Sequence, residues 1–319
     1  MNVLEQAAEA SLHAPSVFNT QPWSWRVAGD TLELYADSSR KLDTTDPEGR
    51  LLILSCGAAL HHARTALAAA GWSAIVERFP DESRPQLLAR VRLGAEVPWD
   101  PEAQRMAAAI PHRRTDRRAF GEREVTEFEL TKLRRLVECE GAYLHVVRPD
   151  QIAMLAISAE LAGGAELNDP AYRAELHQWT NRPSFAGDGV PPETAVRPEL
   201  RRVPVRDFAP DTTTGLAAGA AHDQGAAFVI IFGDNDQPSS LLSGGEALSA
   251  LLLLATADGL STAPISDAIE VAWPRHLLRG LIADIGEPYL VVRLGYTTST
   301  EPLPASPRRP ADDVIAAEE

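Results

Sequence analysis

The decisive stretch of this sequence is Ala14-Pro15-Ser16-Val17-Phe18-Asn19-Thr20-Gln21-Pro22-Trp23. Its two prolines bound an irregular segment, because proline restricts its own φ and disfavours helix in the residue before it. Three polar residues between the prolines offer short side chains and backbone amides: Ser16, Asn19 and Gln21. Such a surface suits a flat ligand whose edge carries carbonyl and ring-nitrogen groups. An ordinary helix-to-strand turn with capping side chains explains the same residues equally well.

Helix and strand patterns continue on both sides of this segment. A helix is predicted at residues 3–13, and Gly29-Asp30 predicts a hairpin between strands Trp23–Ala28 and Thr31–Ala36. Periodicity and end signals predict further helices at 50–71, 102–109, 127–138, 151–161, 171–179 and 241–258. Further strands are predicted at 74–79, 87–93, 143–147, 226–232 and 289–295. Because regular βαβ alternation is missing, the predicted fold class is α+β.

An internal repeat in the sequence indicates how the chain is organised. Gly57-Ala-Ala-Leu60 recurs as Gly245-Glu-Ala-Leu248 at one constant offset that extends to Gly71 and Gly259. Farther along, Val91-Arg-Leu-Gly94 recurs as Val292-Arg-Leu-Gly295 at a slightly larger offset. Coincidence between two alanine- and leucine-rich helices is the alternative, but the ordered helix-then-strand recurrence favours duplication. We therefore predict two halves, 1–105 and 106–319, that pack about a pseudo-two-fold axis as a homodimer does.

Residues 182–225 form a segment without periodicity, here called the cover segment. It is rich in glycine and in proline, the prolines being Pro183, Pro191, Pro192, Pro198, Pro204 and Pro210. Loops of this length are usually functional covers or disordered linkers. Because it falls within the second half and not between the halves, we interpret it as a lid over a site.

Two arginine-rich segments suggest a phosphate site. In Arg113-Arg-Thr-Asp-Arg-Arg118, alternate residues of an extended chain share a face, so Arg113, Thr115 and Arg117 point together. Two guanidinium groups and a hydroxyl suit a phosphate. A solvated surface charge run is the alternative. A second basic cluster, Ser306-Pro-Arg-Arg-Pro310, is weak evidence alone.

Composition excludes several classes of function. A net charge of -15 and a pI near 5.0 argue against binding nucleic acid or an anionic membrane surface. Cys56 and Cys139 cannot form a disulfide framework, and no metal-type spacing is present. The N-terminus lacks the features of a signal peptide, and the longest apolar stretch, near 247–257, is too short to span a bilayer. We therefore expect a cytoplasmic protein without a metal.

Taken together, these segments resemble the nitroreductase-like FMN flavoproteins, and among them most the Acg family. Residues 14–23 look like their Pro-Ser-x-x-Asn-x-Gln-Pro-Trp signature, and 113–117 look like their Arg-x-Ser-x-Arg phosphate-binding start. Residues 245–265 are similar to their central helix and following flavin-contacting strand, and the Arg-Arg-Pro ending at Pro310 resembles their C-terminal phosphate contact. The resemblance implies a pseudo-dimer whose central sheets are flanked by helices.

The resemblance also implies a set of FMN-binding residues. The phosphate would be held by Arg113, Thr115, Arg117, Arg308 and Arg309. The first half would line the isoalloxazine edge with Pro15, Ser16, Asn19 and Gln21. The second half would pack against the ring with Pro264, Ile265 and Ser266, and a backbone amide would lie near N5. Many relatives have glutamate where Ser266 stands. No lysine is placed for the N1–C2=O end of reduced flavin, for which Arg206 and Arg275 are candidates.

The implied activity is reduction of nitro compounds or quinones by NAD(P)H, two electrons at a time, with ping-pong kinetics. Flavin N5 would carry the chemistry, so no catalytic side chain is expected. Each signature motif occurs in one half only, which implies one FMN per chain and favours a monomer, with a dimer as the alternative. A cover segment closed over the flavin would instead make this an FMN-sequestering protein without turnover.

Overall fold

The computed structural model describes residues 2–197, 199–208, 215–219 and 221–318. Part of the predicted cover segment, including Pro198 and Pro210, lies outside the described residues. Within the described ranges the chain forms two sheets with helices packed against them. The predicted α+β fold class is confirmed.

The first sheet is built by the N-terminal third of the chain. Its elements are α1 (Val3–Ser11), β1 (Trp23–Ala28), β2 (Thr31–Ala36), α2 (Arg50–Ala69), β3 (Trp72–Arg78) and β4 (Leu87–Glu96). Helix α1 begins with a capping box, in which the backbone amides and side chains of Asn2 and Glu5 bond reciprocally at 2.8 Å. The strands pair antiparallel in the order β3-β4-β2-β1.

The second sheet is built by the following part of the chain. Its elements are α3 (Pro101–Ala109), α4 (Glu127–Cys139), β5 (Tyr143–Val146), α5 (Ile152–Asn168), α6 (Pro170–Thr180), β6 (Ala227–Gly233), α7 (Pro238–Ala257), β7 (Ser261–Ile265), α8 (Asp267–Glu270), α9 (Ala272–Leu281) and β8 (Glu287–Gly295). The last strand, β9 (Ile315–Glu318), belongs to the first sheet. Strands β5 to β8 pair antiparallel in the order β5-β6-β8-β7. The predicted helix at 151–161 continues to Asn168.

The two sheets have the same topology. If β1, β2, β3 and β4 are matched to β5, β6, β7 and β8, both strand orders agree, and α2 and α7 occupy the same place in the sequence of elements. The C-terminal strand β9, which the sequence did not predict, crosses over and pairs parallel with β1. Strand β9 belongs to the predicted second half, 106–319, but extends the sheet of the predicted first half, 1–105. The division of the chain into these two halves therefore remains a proposal.

The repeated helices α2 and α7 cross where their matched glycines meet. A Cβ built on Gly57 would lie 2.1 Å from the Leu242 carbonyl oxygen and 2.9 Å from the Gly245 Cα. A Cβ built on Gly245 would lie 2.0 Å from the Leu54 carbonyl oxygen and 2.9 Å from the Gly57 Cα. Leu54 and Leu242 are also matched by the repeat, so the contact is reciprocal, as at a two-fold interface.

Polar groups and helix composition at this crossing are consistent with a buried interface. His61 and His62 are buried, and a ring nitrogen of each lies 2.8 Å from the Ser249 hydroxyl. Helices α2 and α7 are long and apolar enough to cross a membrane by length and composition, but 78% of each such stretch is buried within the protein. That burial is typical of core helices.

Candidate functional site

The main cavity of the described residues is lined by segments from both predicted halves. Its empty volume, which includes the space at its mouth, is about 920 Å³. The 14–23 segment, helix α2, the 113–117 segment, the end of β7, the cover segment and the C-terminal segment all contribute to its walls. Nine predicted site residues line it: Pro15, Ser16, Asn19, Arg113, Thr115, Arg117, Pro264, Ser266 and Arg308.

The backbone of the 14–23 segment is strained where it meets the cavity. Phe18, Asn19 and Gln21 have φ values of 47°, 53° and 50°, a left-handed conformation that costs non-glycine residues roughly 1–3 kcal/mol each. Asn19 Nδ2 donates to the carbonyls of Gly189 at 3.0 Å and Pro307 at 3.1 Å. These bonds tie the segment to the cover segment and to the C-terminal segment. An ordinary capped turn needs neither the strain nor these distant partners, which favours the binding-surface interpretation.

Three other predicted site residues lie outside the cavity lining. Gln21 is buried, donates from Nε2 to the Gly187 carbonyl at 2.8 Å, and accepts from the Arg309 amide at 3.0 Å. The Arg309 guanidinium donates to the Gln21 carbonyl at 3.2 Å and lies 3.8 Å from Asp37. Ile265 packs in the core behind β7. Gln21 and Arg309 thus support the cavity wall from behind.

One end of the cavity carries two guanidinium groups that have no counterion among the described residues, one buried and one half-buried. Arg113 is 3% exposed, and its Nε and Nη1 have no hydrogen-bond partner. Arg308 donates to Asn19 Oδ1 at 2.9 Å and to the His13 carbonyl at 2.9 Å, while its Nε is unpartnered. Neither arginine forms an ion pair in the described part of the chain, and the described lining contains no carboxylate. Buried charge without compensation is costly, so this end favours an anion.

The pKa values at this end reflect the same crowding. Burial, reinforced by the Arg114 charge, lowers the pKa of Arg113 to about 10. Burial and the nearby Arg113 charge lower the pKa of Arg308 to about 9. Both groups therefore stay charged at neutral pH, and an anion between them would relieve their mutual repulsion.

Arg117 lies in a different environment. Its Nη1 donates to the Thr194 carbonyl at 3.1 Å, and its guanidinium carbon lies 4.5 Å from the Phe208 ring centroid. Burial and the Arg206 charge lower its pKa to about 10. Arg113 and Arg117 therefore line the same cavity with different neighbours. The sequence predicts both in one phosphate cluster, whereas the structure gives them separate surroundings.

The described parts of the cover segment form one wall of the cavity. Phe208 packs edge-on against Phe18 with ring centroids 5.8 Å apart. Val190 lies in an apolar cluster with Phe18 and Trp179. Asp188 anchors this wall through ion pairs with Arg40 and with Arg182, the latter at 2.7 Å. Sequence reasoning predicted a cover here but had no signal for the residues that make the contact.

Several wall residues were not predicted from the sequence. Helix α2 contributes Leu51, Leu54 and Ser55, and Leu248 and Leu290 contribute from α7 and β8. These leucines have the same periodicity as the rest of the core, so no sequence signal separates them. The two arginines considered for the ring carbonyl do not line this cavity: Arg206 is paired with two glutamates, and Arg275 lies 3.5 Å from Glu48. Within the described ranges no group of histidine, cysteine or carboxylate residues has a metal-binding arrangement.

Comparisons with known proteins identify the family. No family model matches the chain. A Mycobacterium tuberculosis protein provisionally named NAD(P)H nitroreductase acg is 37% identical over 319 residues, covering 98% of this chain and 95% of that protein. A second M. tuberculosis protein named in the same way is 37% identical over 309 residues, covering 96% of this chain and 88% of its own length.

Among solved structures, the FMN-dependent nitroreductase NfnB from Mycobacterium smegmatis in complex with NADPH matches with a TM-score of 0.44 and 16% identity, over 68% of this chain and 100% of that one. The sequence relatives, similar over nearly the whole chain, decide the assignment. The chain belongs to the Acg family of nitroreductase-like proteins.

Proposed function

We propose that this protein binds one FMN in the main cavity and acts as an NAD(P)H-dependent oxidoreductase of the nitroreductase type. One observation carries the proposal: within the described residues, the guanidinium groups of Arg113 and Arg308 have no counterion at one end of a cavity with otherwise largely apolar walls. A ligand with a phosphate at one end and a flat ring at the other matches both features. The names of the relatives support the same activity.

The residues present fit FMN in this orientation. Arg113, Arg308 and the Thr115 hydroxyl would hold the phosphate through charge-assisted hydrogen bonds. The strained 14–23 segment, with Pro264 and Ser266 from the other half, would hold the ring. We assign Arg117 to the ring end, because its neighbours are Phe208 and Thr194 and not Arg308. A cation there would stabilise negative charge on the ring carbonyls.

Bound FMN would supply the hydride chemistry, taking a hydride from NAD(P)H and passing it to a nitro compound or quinone. The chain would bind and orient both reactants over the same ring face, from which ping-pong kinetics follow. Apolar wall residues such as Leu54 and Val190 would exclude water from this slot.

A second candidate function has its own supporting observation. Phe208 and Val190 of the cover segment pack against Phe18 and line the cavity. If these contacts hold the cover over the ring, nicotinamide could not stack there. The protein would then sequester FMN without turning over.

The test is a visible spectrum of the purified protein during an oxygen-free titration with NADPH. Stoichiometric bleaching of a flavin spectrum is the outcome expected for the oxidoreductase. A flavin spectrum that responds to dithionite and not to NADPH would favour sequestration. A protein that takes up no FMN would refute both functions.

The phosphate assignment has a separate test in FMN affinity. Arg113→Ala should weaken FMN binding by roughly 1.5–3 kcal/mol, because charge-assisted bonds to the phosphate are lost. Arg117→Ala should weaken binding less and lower the reduction potential of the bound cofactor. Arg114→Ala is the matched control, because Arg114 is a neighbour that does not line the cavity. Equal affinity of the Arg113 and Arg114 variants would contradict the assignment.

A further inference from the structure

A buried cluster of carboxyl groups lies beside the main cavity and takes no part in holding a phosphate or a ring. The Arg206 Nη2 atom donates to Glu166 Oε1 at 2.9 Å and to Glu270 Oε2 at 2.6 Å. The side chains of Arg206, Glu166 and Glu270 are only 8%, 4% and 2% exposed. Asp267, at the start of α8, is also buried. Glu166 and Glu270 thus share one guanidinium group, and the buried carboxyl group of Asp267 lies close enough to feel its charge.

The charges of this cluster do not balance if every group is ionised. Three carboxylates and one guanidinium leave two uncompensated negative charges in an apolar setting. The charges of Arg117 and Asp46, which lie next to the cluster, are opposite and cancel. Arg50 and Arg275 also lie nearby, but Asp236 and Glu48 pair with them, so the excess is unchanged. The rings of Phe18, Tyr172 and Phe208 lie 5.1 to 5.8 Å from the Arg206 guanidinium carbon and keep the local dielectric constant low. At least one carboxyl group is therefore protonated near neutral pH.

The directions of the pKa shifts agree with this count. Burial raises the pKa of Asp267 to about 6, although Arg206 opposes the shift. Burial also raises the pKa of Glu166, and the neighbouring Glu270 adds to the increase. Several polar atoms of the cluster are buried without a partner: Arg206 Nε, Arg206 Nη1 and Glu270 Oε1. The cluster thus has free hydrogen-bonding capacity for a proton-carrying water.

The cluster also connects two cavities. Asp267 and Arg206 line a smaller cavity of about 400 Å³ that shares Arg117, Phe208 and Ser266 with the main cavity. Glu270 lines another cavity of about 460 Å³, where the Glu48 side chain is 64% exposed. Arg50, Arg275 and Asp46 are the other charged groups there. Asp267 and Glu270 are three residues apart on α8, so they can face the same cluster.

We propose that Glu166 and Asp267, held beside the guanidinium group of Arg206, form a proton store that supplies the proton consumed when an electron-poor substrate is reduced in the main cavity. The inference rests on the proposed function. Reduction of a quinone takes two electrons and one hydrogen nucleus as hydride from NAD(P)H, and it needs one further proton. That proton leaves a carboxylic acid O–H bond of the store and forms an O–H bond on the substrate oxygen. A proton from the solvent then replaces it and returns the store to its starting state.

The described cover residues Val190 and Phe208 form part of the apolar wall of the main cavity, and the described lining contains no carboxyl group that could donate a proton directly. Asp267 lines the adjoining cavity and acts as a positioning residue that passes the proton. A purely structural ion-pair cluster would stabilise the fold and leave proton-dependent rates unchanged.

The experiment compares two electron acceptors for the dithionite-reduced FMN protein. 1,4-Benzoquinone takes up a proton on full reduction, whereas ferricyanide accepts one electron and no proton. Asp267→Asn should slow reoxidation by 1,4-benzoquinone at least about ten-fold, since a positioned proton donor contributes roughly 10²–10⁴-fold, and should leave reoxidation by ferricyanide unchanged. Glu160→Gln, on the exposed face of α5, is the control. An unchanged benzoquinone rate, or equal slowing with both acceptors, would overturn the proposal.

A second measurement does not depend on bound FMN. In a potentiometric titration from acidic to mildly alkaline pH, the Glu166→Gln variant should release one proton fewer than the wild type. The two titration curves should diverge at pH values above the ordinary pKa range of glutamate. If the two proteins differ only at pH values within the ordinary pKa range of glutamate, the proposed proton store is wrong. A protein that binds no FMN would instead overturn the proposed function and with it the supply role, so the two failures are distinguishable.

Discussion

The crossing of α2 and α7 offers the sharpest test of the two-fold architecture, through Gly57→Ala. The added methyl group would lie 2.1 Å from the Leu242 carbonyl oxygen and 2.9 Å from the Gly245 Cα. Both contacts are with backbone atoms, so no change of rotamer can relieve them. The two helices would have to separate by about 1 Å in a close-packed core, where even small displacements are costly.

The magnitude follows from two opposing effects. Overpacking of a core costs roughly 1–3 kcal/mol, and a clash with backbone belongs at the upper end, near 3 kcal/mol. Alanine favours helix over glycine by about 1 kcal/mol. The expected net loss in the free energy of unfolding is therefore about 2 kcal/mol, which lowers Tm by about 4 °C in a protein of this size.

Thermal unfolding of matched alanine variants measures this effect. Gly164 lies within α5, and a Cβ built there meets nothing within 4 Å. Gly164→Ala should thus raise the free energy of unfolding by up to about 1 kcal/mol. Gly245→Ala should behave like Gly57→Ala, and the double variant should lose less than the sum, because both relieve the same contact by separating the helices. A Gly57→Ala protein as stable as the wild type would refute the packing described here.

Two further predictions concern buried carboxyl groups. Glu246 on α7 is fully buried and accepts hydrogen bonds from Arg64 at 2.6 Å and from Arg78 at 2.8 Å. Glu246→Gln should lower the free energy of unfolding by about 2–3 kcal/mol, which is less than for a fully buried ion pair because both arginines are partly exposed. An unchanged Tm would contradict this prediction. Burial raises the pKa of Asp46 to about 6, so the folded state binds this proton more tightly than the unfolded chain does. The stability of the wild type relative to Asp46→Asn should therefore be greatest below about pH 4 and should fall as the pH rises to about 6; urea unfolding at pH 4 and pH 7 that shows no such divergence would argue against a raised pKa.

Local sequence signals were sufficient for much of the fold. The hairpin of β1 and β2 was predicted at its observed ends, because Gly29-Asp30 sets the turn and apolar alternation sets the strands. The Gly57 and Gly245 repeat was visible in the sequence, and the structure brings the two residues into contact. Strand β9 could not be predicted, because four residues with little pattern become a strand only when β1 is beside them.

For the candidate site, the sequence indicated residues that line the cavity but not their neighbours. Alternation along an extended chain predicts Arg113, Thr115 and Arg117 on one face, and all three line the main cavity. Alternation could not show that Arg113 lies near Arg308 and Arg117 near Phe208, because those neighbours come from distant parts of the chain. Gln21 belongs to a polar signature, yet its side chain is bonded to Gly187 and Arg309 and faces away from the cavity.

The sequence by itself determined the fold class, the helix-and-strand repeat and the segments that surround the cavity. These follow from turns, periodicity and small residues, all of which act over a few neighbours along the chain. Only the tertiary structure decided which guanidinium groups lack a counterion, which leucines line the cavity, and how Glu166 and Glu270 come to share Arg206. Charge balance and burial depend on groups far apart in sequence, so they are set only when the halves, the cover segment and the C-terminal strand are packed together.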